Sequence, residues 1–407
     1  MKIKICRSCK NKSIKKVFDL GSQKLTGVFP KSKNEVIDSG RLGMVLCSKC
    51  SLLQLEDSFN PKKMYGANYG YMSSQNLSMI NHLKNKSIKL KKLANLKNSE
   101  LILDIGSNDG TFLNFFERKY KLIGIDPSSK RLKKLYRKDI KVLSDFFDYE
   151  KIVNHLNKKK AKIITTISMF YDLEDPIKFA KDVYKSLDDN GIWHLEQSYM
   201  PSMIKNCSYD TICHEHLEYY SLKSIKYIFD KIGFVIIDLE FNNINGGSFA
   251  LTVRKKNKNN SKHFFLTDLI LKEENRYKYN EFKTIKKFYK KILNHKKLLK
   301  DLLMSLKKNN KKVFGYGAST KGNVILQFCG INSKLLPFIA EVSKFKFNKY
   351  TPGSKIKIIS EKKAKSLNPD YYLVLPWHFK DFIEKKEKKF LNKGGKLIFP
   401  LPEINII

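Results

Sequence analysis

Short apolar runs alternate with amphipathic stretches over most of the chain, which is the pattern of an α/β fold with a parallel sheet. The run at 101–105 is uniformly apolar except for one acidic residue, which predicts a strand buried on both faces. The stretch from about 75 to 96 has helical spacing. We predict the strands of this region near 101–105, 121–125, 141–143, 162–170, 191–196, 234–238 and 248–253.

The pattern divides the chain into four parts, since 407 residues exceed the usual size of one hydrophobic core. A charged stretch with helical period separates the strands above from a second α/β pattern near the C-terminus. The predicted parts are a small module rich in turn residues over 1–60, an α/β domain over 61–255, a helical connector over 256–310, and a smaller α/β domain over 311–407.

Lysine supplies nearly all of the positive charge. The formal net charge is +40, and only seven of the 79 basic residues are Arg. Base readout and forked contacts to phosphate favour Arg, so we expect no nucleic-acid partner. A field of this sign still attracts an anionic substrate.

The chain has no membrane signal. No run of about 18 consecutive apolar residues occurs, and the N-terminal residues lack the apolar core of a signal peptide. We therefore expect a cytoplasmic protein without a membrane partner. We also expect a monomer or a weak homodimer.

Four of the seven cysteines form two C-x-x-C pairs, which are Cys6 with Cys9 and Cys47 with Cys50. Four thiolates at this double spacing suit a tetrahedral zinc ion that stabilises a small module. A closed shell of four sulfurs leaves no position for water or substrate, so the metal is expected to be structural. A redox dithiol and a nucleic-acid zinc ribbon remain as alternatives.

The run 104–110 reads D-I-G-S-N-D-G and joins a strand to a helix, which is typical of a cofactor loop. Asp104 and Gly106 open this loop, and Asn108 lies within it. Asp126 ends the next strand, where a carboxylate can accept hydrogen bonds from ribose hydroxyls. The glycines are spaced by four, unlike the G-x-G-x-x-G of dinucleotide sites. This spacing resembles the first motif of class I S-adenosylmethionine (AdoMet) methyltransferases.

Polar and apolar side chains follow the third and fourth strands. Asp145 and Phe146 are expected to hold the adenine by a polar and an apolar contact, and Ser168 ends the fourth strand. Ligands of doubly wound sheets lie outside the carboxyl ends of the strands. The sequence therefore predicts an AdoMet site at this edge.

The densest group of titrating side chains lies in the segment 209–221, which reads Y-D-T-I-C-H-E-H-L-E-Y-Y-S. His214 and His216 flank Glu215 in a chain with only eight His, which indicates proton transfer near neutral pH. A zincin motif would need His four positions after His214, where Glu218 stands. A two-histidine metal site of another kind stays open, because the two rings share a face on a strand.

Three further stretches have both a structural and a functional interpretation. Tyr71 lies in the tyrosine-rich run 65–74, which is either an aromatic plug before a helix or a loop that delivers a phenol to the site. Asn245 lies in an Asn-Gly hairpin turn whose tip faces the same edge. Gly317 and Lys321 belong to a second glycine loop, and the lysine offers a charge for a phosphate-bearing molecule.

Over its full length the chain resembles the nucleotide-sugar C-methyltransferases, the three-domain enzymes that methylate a ring carbon of TDP-linked deoxysugars. The resemblance rests on the two C-x-x-C pairs, the AdoMet loop, the run D-T-I-C-H-E-H-L-E-Y-Y-S, and the C-terminal G-Y-G-A-S-T-K-G-N and L-P-W-H. It implies AdoMet-dependent transfer to a carbon that an adjacent 4-keto group acidifies, with a nucleotide sugar as substrate.

The resemblance also implies roles for single residues. His216 would be the base that removes the proton, Glu215 a substrate contact or proton partner, Tyr71 a donor to the sugar, and His214 an orienting neighbour. Two positions depart from the family pattern, because Cys213 replaces a tyrosine and Asp172 a histidine at the substrate border.

Two other functions remain open at this stage. The first is an O- or N-methyltransferase of a sugar or another small anionic acceptor, which needs no keto group. The second is a zinc-ribbon nucleic-acid binder, against which the scarcity of Arg argues.

Overall fold

The computed structural model of the chain describes residues 2–65, 71–156, 159–257 and 264–407, and its strands form three sheets. The first sheet is small and antiparallel. Strands β1 (Ile14–Lys24), β2 (Ser39–Cys47) and β3 (Leu53–Leu55) follow one another, and the short helix α1 (Pro61–Met64) comes next. The fourth strand of this sheet, Glu218–Tyr219, comes from far along the chain and pairs with β3.

The central sheet has seven strands and carries a glycine loop after its middle strand. The sheet and its helices, which follow helix α2 (Leu77–Leu93), are β4 (Leu101–Ile105), β5 (Lys121–Ile125), α3 (Ser129–Leu132), β6 (Lys141–Leu143), α4 (Tyr149–Ile152), β7 (Ala161–Ile167), α5 (Pro176–Ser186), β8 (Leu187–Ser198), α6 (Met200–Lys205), α7 (Leu222–Ile232), β10 (Phe234–Asn242) and β11 (Ser248–Lys255). The strand Glu218–Tyr219, which is β9 in chain order, belongs to the first sheet. The strand order of the central sheet is β10-β11-β8-β7-β4-β5-β6, with β11 antiparallel to both neighbours.

The order of the central sheet places a ligand site at the end of β4. The chain runs from β4 outward through β5 to β6, then returns to β7 on the other side of β4. Doubly wound sheets bind ligands at such a reversal, outside the carboxyl ends of the strands. All five residues of β4 are buried, as the apolar run predicts.

Helix α7 directly follows the histidine-rich segment, and both of its ends are fixed by the sequence. Ser221 caps the N-terminus by accepting from the Ser224 amide, and the Ser224 hydroxyl accepts from the Ser221 amide. The buried carboxylate of Glu274 accepts from two further amides of this turn, those of Leu222 at 2.6 Å and Lys223 at 3.0 Å. Gly233 ends the helix with φ of 96°.

Two helices connect the central sheet to the C-terminal sheet. They are α8 (Phe265–Arg276) and α9 (Phe282–Lys308). One face of α9 is buried, and its Phe288 lies 6.0 Å edge-on from Phe18 of β1. The long helix therefore packs the first sheet and the C-terminal sheet into one apolar core.

The C-terminal sheet has six strands in the order β14-β13-β12-β15-β16-β17, and all pairs are parallel except the last. Its glycine loop again follows the strand at which the order reverses. The elements of this domain are β12 (Val313–Tyr316), α10 (Thr320–Phe328), β13 (Phe338–Glu341), β14 (Lys357–Ser360), α11 (Glu361–Ser366), β15 (Tyr371–Val374), α12 (Lys380–Lys386), α13 (Lys388–Asn392), β16 (Lys396–Phe399) and β17 (Asn405–Ile406).

No helix in the described part of the chain is long and apolar enough to cross a membrane.

Candidate active site

The four cysteines of the two C-x-x-C pairs lie together at one end of the first sheet. The Sγ atoms of Cys6 and Cys50 are 3.6 Å apart and those of Cys9 and Cys47 are 3.4 Å apart, with all four within 4.8 Å of one another. Tetrahedral zinc with Zn–S bonds of about 2.3 Å requires sulfurs at about 3.8 Å, so the four thiols fit the metal. The hydrogen bond between the thiols of Cys6 and Cys50 lowers the pKa of Cys6 to about 5 and raises the pKa of Cys50, and a bound zinc would replace the shared proton.

The first glycine loop is tightly built. Gly106 has φ of 79°, and its amide donates to the carbonyl of Ile125 at 2.8 Å. A Cβ at this position would lie 2.9 Å from the side chain of Met169, so only glycine fits. Burial raises the pKa of Asp104 to about 7, although the Thr165 hydroxyl donates to it at 2.6 Å.

Asp126 lies at the end of β5, as predicted, and is held by the loop that it faces. One carboxylate oxygen accepts from the Asn108 amide at 2.9 Å. The other accepts from the amide of Ser128 at 2.7 Å and from its hydroxyl at 2.6 Å. A carboxylate has about four acceptor sites, so one remains for a ribose hydroxyl.

The tyrosine-rich stretch lies across this glycine loop. The Asn108 side chain accepts from the Ser73 amide at 3.1 Å and donates to the Tyr71 carbonyl at 3.3 Å. The Ser74 amide donates to Asp109 at 2.8 Å. Tyr71 is 45% exposed as a residue, but burial of its hydroxyl raises the pKa of the phenol, and a hydrogen bond with Ser73 opposes that rise. Residues 66–70 of the stretch lie outside the described residues.

The residues that follow β6 and β7 differ in their exposure and contacts. Asp145 and Phe146 are exposed beyond β6, and Asp145 pairs with Lys151 at 3.4 Å. Ser168 follows β7 with φ of 56°, and its hydroxyl accepts from the Asn245 side chain at 3.3 Å. The tip of the β10–β11 hairpin therefore reaches the cofactor edge, as predicted for Asn245.

The three residues of the His-Glu-His run point to different neighbours. His214 is buried, and its Nε2 donates to the carbonyl of Gly40 in β2 at 3.2 Å. Glu215 accepts from the Thr26 hydroxyl at 3.3 Å. Both residues therefore contact the N-terminal module. Among the described residues neither His214 nor His216 belongs to a group of three potential metal ligands, so the two-histidine metal site gains no support.

His216 instead faces the central sheet. Its ring centroid lies 4.2 Å from that of Tyr171, and its Nδ1 is 2.8 Å from the carbonyl oxygen of Thr211. A carbonyl only accepts, so Nδ1 carries the proton and Nε2 is an unprotonated acceptor. Burial, followed by the charge of Lys321, lowers the pKa of His216 to about 3. The imidazole is therefore neutral at physiological pH.

The two positions that depart from the family pattern lie on the same side of the site. Cys213 is fully buried, and burial holds the pKa of its thiol well above the usual range. The pKa of Asp172 is also raised well above its usual range by burial, and the Glu215 carboxylate contributes to the rise. The Tyr65 hydroxyl donates to Asp172 at 2.6 Å.

The second glycine loop brings the C-terminal domain to this segment. Gly317 has φ of 79°, and a Cβ there would lie 2.7 Å from the ring of Pro376. Lys321 donates to the backbone carbonyl of Asn245, so the helix that follows this loop reaches the hairpin beside Ser168. Burial lowers the pKa of Lys321, whereas the charge of Asp210 opposes that shift.

Sequence reasoning missed several residues of this arrangement. Asp210 accepts from the indole of Trp377 at 2.8 Å, which joins the His-Glu-His segment to the L-P-W-H run. Glu341 ends β13 and accepts from the Ala318 amide of the second glycine loop at 2.9 Å, as Asp126 does for the first loop. An acidic residue at the end of the strand after a glycine loop was a usable signal for Glu341.

Models of known protein families match three regions of the chain. The matching family models are described as "Putative zinc binding domain" over residues 6–65, "Methyltransferase domain" over 81–239 and "C-methyltransferase C-terminal domain" over 243–402. The chain is also 27% identical over 415 residues to the C-methyltransferase NovU of Streptomyces niveus, and the alignment covers 99% of this chain and 96% of that protein.

Two solved structures each match 44% of the chain. An S-adenosylmethionine-dependent methyltransferase from Clostridium acetobutylicum is 13% identical, with 44% of this chain and 92% of that chain covered and a TM-score of 0.35. The plantazolicin methyltransferase BpumL in complex with SAH is 14% identical, with 44% and 83% covered and a TM-score of 0.35.

Proposed function

We propose that this chain, an AdoMet-dependent methyltransferase with a zinc-binding module, methylates a ring carbon of a nucleotide-linked 4-keto deoxysugar. The α/β fold, the methyltransferase class, AdoMet and zinc, all predicted from the sequence, are confirmed by the matched domains. NovU is named a C-methyltransferase, which supports transfer to carbon. The observation that carries the proposal is the neutral, oriented imidazole of His216 near the buried ammonium of Lys321.

Transfer to carbon needs a base, because the C–H bond next to the keto group must lose its proton first. The hydrogen bond to Thr211 leaves the lone pair of His216 Nε2 free for this task. A pKa of about 3 makes a weak base, and Lys321 contributes to that low value. A bound diphosphate would neutralise Lys321 and raise the basicity of His216 when substrate is present.

The enolate oxygen that forms needs positive charge or hydrogen-bond donors. Tyr71 lies on the loop across the first glycine loop, and its hydroxyl is the donor offered to the sugar. Glu215 is fixed by Thr26 and contacts the sugar or exchanges a proton with it. Cys213 and Asp172 border the same space and set which sugar fits. His214 orients the segment through its bond to β2.

The cofactor residues act as a cradle at the reversal of the central sheet. AdoMet supplies the methyl group as an electrophile. Asp126 receives one ribose hydroxyl, because one of its acceptor sites is free of protein donors. The remaining cradle is formed by residues at the carboxyl ends of β4, β6 and β7, which are Asp104, Gly106, Asn108, Asp145, Phe146 and Ser168.

The nucleotide part of the substrate is assigned to the second glycine loop. Gly317 lets a ligand approach the backbone, and Lys321 supplies a cation for phosphate. Asn245 connects this loop to the cofactor edge, since it contacts both Lys321 and Ser168. A sugar held between the two loops would therefore lie near His216.

The test is incubation with AdoMet and paired nucleotide sugars that differ only in a 4-keto or 4-hydroxy group. Mass spectrometry detects the added methyl group, and NMR assigns the methylated atom. We expect a C-methyl product from the keto sugar alone. An O-methyl product from the hydroxy sugar would contradict the proposal and support the O-methyltransferase.

A further inference from the structure

We propose that Arg7, which lies between two zinc-ligating cysteines, is a positioning residue for the active site. Its guanidinium holds together two segments that carry Tyr171 and His216. The zinc module therefore sets the geometry of the part of the active site that contains these two residues. The inference rests on the proposed function only for the role of His216. The contacts of Arg7 stand independently of it.

Arg7 is a charged side chain in an almost fully buried position, with 3% of its surface exposed. Its Nη1 donates to the carbonyl of Leu55 at 2.6 Å, and its Nη2 donates to the carbonyl of Asp57 at 3.2 Å. The same Nη2 donates to the Ser58 hydroxyl at 3.0 Å. The fork of the guanidinium is thus fixed along the end of β3.

The zinc site fixes the backbone of Arg7. The Arg7 amide donates to Gln54 Oε1 at 3.0 Å, and Gln54 Nε2 donates to the Sγ of Cys6 at 3.2 Å. Gln54 is also the residue opposite Glu218 in the pairing of β3 with β9. One buried glutamine therefore connects a zinc ligand, Arg7 and the strand that follows His216.

The free edge of the guanidinium faces two carboxylates from different segments. Arg7 Nε donates to Glu174 at 3.2 Å and lies 4.0 Å from Glu218, whose side chain is fully buried. Burial raises the pKa of Glu218 well above its usual range, the charge of Arg7 opposes that rise, and the Glu174 carboxylate adds to it. Arg7 is therefore the cation that both side chains face.

Each carboxylate lies close in sequence to a residue of the active site. Glu174 follows Tyr171 by three positions, and Glu218 follows His216 by two. The two segments also meet directly, because the Leu217 amide donates to the Tyr171 carbonyl at 2.8 Å. Separation of the two glutamate side chains would therefore disturb the contact between Tyr171 and His216, whose ring centroids lie 4.2 Å apart with the planes tilted by 52°.

The test compares Arg7→Met with Arg41→Met in the full-length zinc-loaded protein. Arg41 lies in the same module but is half exposed and pairs with Asp19, so it is the matched control. We expect Arg7→Met to keep about one zinc per chain and its AdoMet affinity, because neither the thiols nor the cradle changes. Its kcat should fall about 10- to 100-fold, and amide hydrogen exchange over 214–219 should rise at least about tenfold.

A second substitution separates positioning from general stability. Glu174→Gln removes the carboxylate to which Arg7 Nε donates, so it should lower kcat and exchange protection less in the Arg7→Met background than in the parental protein. If Arg7→Met does not fold, Arg7→Lys replaces it, because an ammonium cannot contact both Leu55 and the two carboxylates.

Three outcomes would overturn the proposal: exchange over 214–219 equal to that of Arg41→Met, loss of zinc in step with loss of activity, or equal effects of Glu174→Gln in the two backgrounds. The exchange measurement needs no substrate. A wild-type protein that methylates no keto sugar would end the proposed function and leave the test of Arg7 intact.

Discussion

Gln54 and Glu218 lie opposite each other on two antiparallel strands, although 164 positions separate them in the chain. The pairing makes β9 the edge strand of the zinc-module sheet. The histidine-rich segment is therefore attached at its end to the module that the four cysteines stabilise. Loss of the metal should affect this segment as well as the module.

The first prediction concerns the metal. Purified protein should contain about one zinc per chain, and Cys9→Ser should lose zinc and lower Tm, because metal binding contributes folding free energy. Elemental analysis and calorimetry measure both quantities. Cys207→Ser is the control, since Cys207 is buried outside the zinc group. Metal-free protein with unchanged Tm would contradict a structural zinc.

The second prediction concerns the cofactor. Asp126→Ala should weaken AdoMet binding by about 1 to 3 kcal/mol, because charged hydrogen bonds to the ribose are lost. Titration calorimetry measures the Kd, and Asp230→Ala on the exposed side of α7 is the control. Wild-type affinity in Asp126→Ala would show that the ribose lies elsewhere.

Much of the fold followed from local patterns, because strands of a parallel sheet are apolar and glycine loops have fixed spacing. The four cysteines and the acidic ends of β4 and β5 were found in this way. Each of these signals lies within a few residues of sequence, where backbone geometry alone decides the arrangement.

The contacts between domains could not be predicted. β9 has two residues, which is too short for a period-two pattern to appear. Arg7 has the sequence context of an exposed zinc-knuckle residue, and its burial depends on carboxylates that are far away in the chain. The contact of Lys321 with Asn245 depends on how the central and C-terminal sheets are placed against each other.

The third prediction concerns pH and Lys321. The charge of Lys321 disfavours protonated His216, so Lys321→Met should raise the pKa of His216 above its value of about 3. As the pH falls, a base with a raised pKa is protonated, and so loses its free lone pair, at a higher pH than before. The acid limb of the kcat/KM profile should therefore move to higher pH in Lys321→Met, while the exposed Lys362→Met should leave it unchanged. A shift to lower pH would contradict this electrostatic coupling.

The last prediction concerns His216 as the base. His216→Asn should bind AdoMet normally, because the ring lies outside the glycine-loop cradle, and should lose about two to four orders of magnitude in rate. Exchange of solvent deuterium into the carbon next to the keto group should disappear as well, since exchange needs the same proton removal without methyl transfer. NMR of the recovered sugar measures this exchange, and His155→Asn at an exposed position is the control. If His216→Asn exchanges at the parental rate while methylation falls, His216 binds the sugar and another group removes the proton. Glu215 and Asp172 are then the residues to replace, because the electrostatic effect of Glu215 on the pKa of Asp172 indicates that the two carboxyl groups are neighbours in this part of the site.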